Sequence, residues 1–110
     1  MARIKMKPVA SLTTLRDALR RFADERDWNQ FHSPKNLAIS VSLEAAELLE
    51  HFQWTGEAAP GAKQEIAHEM ADVLLYLVRL ADRLDIDLLE AAARKMELNA
   101  AKYPIPKEKK

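Results

Sequence analysis

Apolar residues recur at spacings of three and four along nearly the whole chain, and that period predicts an all-α protein. Two further features agree. The only two glycines, Gly56 and Gly61, bracket one short loop, and β-branched residues do not gather into strand-like runs. At 110 residues the chain is expected to form one domain over 1–110, an antiparallel four-helix bundle or half of a larger one.

Residues 1–10 and 105–110 are expected as frayed tails. The first helix is placed at 13–26, with Leu15, Leu19 and Phe22 inward and Ser11 or Thr13 as its cap. The stretch DWNQFHSPKN follows as a loop, and Pro34 marks its exit. A second helix spans 36–53, its core stripe being Leu37, Val41, Ala45, Leu48 and Phe52. TGEAAPGA turns the chain. The third helix covers 63–84, with Ile66, Met70, Val73, Leu77, Leu80 and Leu84 inward. Asp87 then opens a fourth helix, with Glu90 in capping-box position. That helix runs to Pro104 and buries Leu89, Ala93, Met96 and Ala100.

Composition excludes several classes of function. Seventeen basic residues balance seventeen acidic ones, which argues against a surface built for nucleic-acid phosphates. The absence of cysteine removes disulfides, thiolate chemistry and cysteine-ligated zinc. No apolar run reaches the roughly 18 residues of a membrane span. The opening MARIKMKPVAS has no apolar core of a secretory signal, so a soluble cytoplasmic protein without a membrane partner is expected.

The polar groups beside the core stripes carry the chemistry. At about 100° per residue, Glu44 and Glu47 share one flank of the second helix with Ser40 and His51. Glu69 and Asp72 flank the stripe of the third, with Tyr76 near them in projection. On the fourth, Lys95, Asn99 and Lys102 line up beside the inward face. A lone Glu-x-x-Glu is ordinary solvated surface. Two acidic pairs against the stripes of neighbouring helices can instead converge, and carboxylates crowded in a partly dry site repel by several kcal/mol per pair. Either one of them protonates or something positive sits among them. Oxygen-only donors suit a hard cation, Mg²⁺ or Mn²⁺, and four acids exceed what one Mg²⁺ needs. Glu65 and His68 make a single Glu-x-x-His, but a di-iron carboxylate bundle needs two. Trp28 and Trp54 stand at loop edges, where indoles either sandwich a base or cap the ends of the core.

FHSPKNLAISVSLEAAELLEHFQW, EMADVLLYLVRLA and KMELNAAKYP together resemble the MazG-like all-α nucleotide pyrophosphohydrolases, above all their dCTP pyrophosphatase branch. The resemblance runs from about Leu15 to Pro104. It implies a MazG-like helical bundle completed by association into a homodimer or homotetramer. It also implies that Glu44, Glu47, Glu69 and Asp72 hold Mg²⁺ against a triphosphate, with Mn²⁺ as a substitute. Water then attacks the α-phosphorus of a deoxynucleoside triphosphate, dCTP or a modified dCTP, and pyrophosphate leaves. Glu47 and Glu69 are the candidate catalytic carboxylates. Trp28, His32, Trp54, Tyr76, Lys95, Asn99, Lys102 and Tyr103 correspond to residues enclosing the nucleotide. Tyr76 would pack on the sugar, Lys95 and Lys102 would meet phosphate, and Asn99 would bond a phosphate or a coordinated water.

The chain departs from the family pattern at Leu43, where many members carry a further glutamate, and at Ala45–Ala46, where a Val-Gly-like pair is common. Leu19 takes a position that is histidine in some dCTP-type members. The alternative to an enzyme is a non-catalytic nucleotide-binding or helical interaction module, its acids kept near the core for subunit register.

Overall fold

The computed structural model describes residues 9–107. Among them the regular structure is entirely helical: α1 (Leu12–Glu25), a single 3-10 turn (Asn29–Phe31), α2 (Pro34–Glu50), α3 (Lys63–Arg83) and α4 (Leu88–Lys102). Of the expected tails, residues 1–8 and 108–110 lie outside the described residues, while 9–10 and 105–107 are exposed and non-helical.

Each helix begins for a local reason. Ser11 caps α1 by accepting from the Thr14 amide at 3.1 Å, and Thr14 returns the bond to the Ser11 amide at 3.0 Å. Ser33 caps α2 by accepting from the Asn36 amide at 3.1 Å. Pro34 is therefore the first residue of α2, where its fixed φ suits a helix and its missing N–H has no bond to make. That corrects the expected start at 36. The expected end at 53 was also too late, because after Glu50 the chain tightens into i→i+3 bonds such as Phe52 N to Leu49 O at 2.9 Å. Asp87 caps α4 through the Glu90 amide at 3.0 Å, as expected.

The stops of α1 and α3 use one device without glycine. Asp27 and Asp85 adopt left-handed φ of 55° and 56° just beyond each helix end. The Trp28 amide then reaches Ala23 O at 2.9 Å and Ile86 reaches Ala81 O at 2.8 Å. These are Schellman closures, in which the following apolar residue folds back over the last turn. Trp28 accordingly meets Phe22 edge-to-face, ring centroids 5.5 Å apart.

Packing centres on α3. It lies along α2 and, less extensively, against α1. The inward face of α2 runs through Leu37, Val41, Glu44 and Leu48, with Leu37 only 1% exposed, and half-buried Phe52 follows in the turn beyond it. Ala45, expected in that stripe, is exposed. The inward side of α3 buries Val78, Arg79 and Ala81 and half-buries Ile66, Glu69, Val73, Tyr76 and Leu80, whereas Met70, Leu77 and Leu84 lie on exposed positions. The helix is thus rolled from its most apolar orientation, and the roll brings Glu69 and Tyr76 toward α2. The burial expected for α4 also fails within one chain: Leu89, Ala93, Met96 and Ala100 are all exposed. The radius of gyration is 17.4 Å, against about 13 Å for a compact chain of this length.

Candidate active site

Glu44 and Glu69 face one another's helices from half-buried positions, with Glu47 and Asp72 one turn further on at their more exposed edge. Glu44 Oε2 and Glu69 Oε2 are buried without a hydrogen-bond partner. Such an orphaned oxygen is costly unless a ligand satisfies it. The His51 imidazole approaches Glu69 Oε2 to 3.4 Å, but not in hydrogen-bonding alignment. Among the described residues, no lysine or arginine pairs with any of the four acids. Burial pushes the Glu44 carboxyl above the ordinary glutamate range, and the adjoining Glu47 carboxyl and the charges of Asp72 and Glu69 push it further. Burial likewise raises the Tyr76 phenol, with Glu44, Asp72 and Glu47 adding to the effect. These five side chains share one electrostatic neighbourhood.

The four carboxylates do not yet close on a common point, and among the described residues no three acidic or imidazole groups stand in cation-coordinating geometry. The donor chemistry nevertheless fits a hard divalent cation: oxygen donors, two buried oxygens without hydrogen-bond partners and, among the described residues, no paired lysine or arginine, His51 being the one basic side chain near Glu69.

Beside the acids opens a cavity of about 270 Å³, lined by apolar Leu19, Phe22, Ala23 and Leu75, by Trp28, His32 and Tyr76, and by Asp72 and Arg79. Three sequence-derived candidates, Trp28, His32 and Tyr76, therefore meet here. The His32 ring stands edge-on to Trp28, centroids 6.0 Å apart. Leu19 lines the same space, so the position that departs from the dCTP-type pattern borders the cavity. The volume lies just below the roughly 300–1,000 Å³ of small-molecule sites.

The remaining candidates stand elsewhere. Trp54 is 87% exposed in the loop after α2. Lys95, Asn99 and Lys102 lie on exposed α4 and Tyr103 directly follows it, with the Lys102 ammonium 5.3 Å from the Tyr103 ring. None of them lines the cavity within one chain.

Arg79 was not among the expected site residues. It is 6% exposed and bonds His32, Asn29 and Asp82 at the cavity's rim. The signal was present: a lone charge inside the apolar run VLLYLVRLA, with Asp82 one turn ahead.

A family model described as MazG-like matches residues 39–110. The chain belongs to the MazG-like family. It is 41% identical over 105 residues to dCTP pyrophosphatase 1 of Rattus norvegicus, aligning 89% of this chain with 62% of that protein. It is 39% identical over 109 residues to dCTP pyrophosphatase 1 of Homo sapiens, aligning 93% of this chain with 64% of that one. The chain thus spans a little under two thirds of the length of these curated relatives. A crystal structure of a pyrophosphatase from Archaeoglobus fulgidus superposes with a TM-score of 0.77 at 45% identity, covering 92% of this chain and all of that one. The all-helical architecture is the one this MazG-like chain shares with that structure.

Proposed function

We propose that this MazG-like chain is a divalent-cation-dependent pyrophosphohydrolase that cleaves a deoxynucleoside triphosphate, dCTP or a modified dCTP, to its monophosphate and pyrophosphate. The observation that carries the reading is the adjacency of four acids, none of them paired with a lysine or arginine among the described residues, to an aromatic, base-sized cavity. The names of the relatives at about 40% identity support the substrate class. Removal of unwanted nucleotides from the cytoplasmic pool is the corresponding role.

Glu44, Glu47, Glu69 and Asp72 would hold Mg²⁺, with Mn²⁺ as a substitute. Bound there, the cation would neutralise phosphate charge and orient an attacking water. Trp28 supplies a stacking surface for the base, and Tyr76 stands between the cavity and the acids, where a sugar joins base to phosphates. In this reading Glu47 or Glu69 takes the proton of the water. A homodimer or homotetramer brings Lys95, Asn99, Lys102, Tyr103 and Trp54 to a neighbour's cavity, which accounts for their exposure in one chain.

The test is pyrophosphate release from a panel of deoxynucleoside triphosphates with Mg²⁺. Glu47→Gln and Asp72→Asn are expected to reduce turnover by at least about a hundredfold while circular dichroism stays helical. Wild-type turnover in both variants would remove the proposal. Binding without hydrolysis by the unaltered protein would favour a non-catalytic nucleotide-binding module instead.

A further inference from the structure

Arg79 is the buried charged side chain of the described core, and its guanidinium is committed on three sides. Nη2 donates to Asn29 Oδ1, and Nη1 donates to Asp82 Oδ2 at 3.3 Å. Each acceptor is itself held: Asn29 donates to Asp24, and Arg20 Nε donates to Asp82 at 2.8 Å. The third bond runs from Arg79 Nε to His32 Nδ1 at 3.2 Å.

That third bond has a direction that cannot be reversed. A guanidinium in a protein has no acceptor and keeps its protons. His32 Nδ1 must therefore offer a lone pair. A neutral imidazole with its lone pair on Nδ1 carries its proton on Nε2. An imidazolium would set N–H against N–H and one positive charge against another. Burial, followed by the charges of Arg79 and Arg83, holds the His32 pKa below the ordinary histidine value, in agreement with the geometry. Nε2 has no hydrogen-bond partner among the described residues and is not sealed from solvent, and the ring lines the cavity beside Trp28.

We infer that Arg79 is a positioning residue: it holds His32 as the neutral Nε2–H tautomer, so that the cavity presents one hydrogen-bond donor to an acceptor on the nucleobase, a carbonyl oxygen or an unprotonated ring nitrogen. The inference rests on the reading of this cavity as the base site. It deepens that reading by giving the polarity of the contact: a base edge offering only an N–H at this point is rejected, because two donors would meet in a partly dry site.

Long-range proton–nitrogen correlation NMR on the free wild-type protein reads the tautomer directly. The expected result is a protonated Nε2 and a bare Nδ1 for His32. Arg79→Met, which keeps the length and apolar stem, is expected to give a mixture of tautomers. KM for the preferred triphosphate should then rise about tenfold with kcat changed less than about twofold. Arg79→Lys, which restores a donor, should recover the tautomer and part of the KM. His32 protonated on Nδ1 in the wild type would overturn the inference. So would a folded Arg79→Met protein with unchanged tautomer and KM. Should Arg79→Met fail to fold, the wild-type spectrum still decides. Failure of the wild type to release pyrophosphate from any triphosphate would instead remove the hydrolase reading and leave the tautomer result standing.

Discussion

Glu44 shows how a single side chain can be unfavourable for folding and useful for function. Its carboxylate is half-buried, lacks a partner for one oxygen and feels three other acids. In a metal-free buffer, Glu44→Gln removes that repulsion while keeping the shape. A thermal scan in chelator should therefore show Tm raised by a few degrees, alongside loss of pyrophosphate release. A Tm lowered by the substitution would mean that the acids are not mutually destabilising. Trp28 acts by area rather than charge. Trp28→Ala removes a stacking surface worth about 1–3 kcal/mol per base, so KM should climb roughly 5- to 150-fold with kcat little altered. Steady-state kinetics separate the two, and a fall confined to kcat would contradict a binding role.

The helix ends and their clasps set where those side chains stand. The Schellman turn after α1 folds Trp28 back onto Phe22, and the same turn after α3 redirects the chain toward α4. Both turns hold an aspartate where glycine is easier. Asp85 makes no side-chain hydrogen bond among the described residues, so Asp85→Gly should relieve left-handed strain and stabilise by up to about 1 kcal/mol, measured by urea denaturation. Destabilisation would show that the aspartate does more than turn the chain. Asp82 joins α1 to α3 through Arg20 and also braces Arg79. The Arg20 hydrogen bond leads the interactions that hold its carboxyl below the ordinary aspartate range. The folded state thus binds this proton more weakly than the unfolded chain. Its stabilisation is fully present above the ordinary aspartate range and is lost as pH falls through the depressed value. Asp82→Asn should flatten that acid limb and, by weakening the bond to buried Arg79, cost about 2 kcal/mol at neutral pH. An acid limb of stability identical to wild type would refute the clasp.

At the scale of the whole molecule, the apolar surface left by one chain is the dominant fact. Leu43 and Leu49 on α2, Met70 and Leu74 on α3, and Leu89 and Met96 on α4 are all exposed. So many large apolar side chains in the open favour association. Sedimentation velocity at micromolar concentration should give two or four times the 12.5 kDa chain mass. Leu74→Arg should shift the protein toward monomer and lower activity with it. A fully active monomer would refute the proposed assembly.

The helical class, the number of helices, the Asp87 cap, the choice of Ser11 or Thr13 for the first cap and the two acidic pairs were all legible in the residues. Local period and capping chemistry act over a few positions, and a linear string carries such information directly. The roll of α3 was not legible. Apolar spacing pointed Met70 and Leu77 inward, yet the folded helix turns Glu69 and Tyr76 toward its neighbours, leaving a Glu69 oxygen buried without a partner. The isolation of α4 and the burial of Arg79 share that origin. Which face a helix turns inward depends on the shape and charge of its neighbours, and those meet it only once the chain has folded.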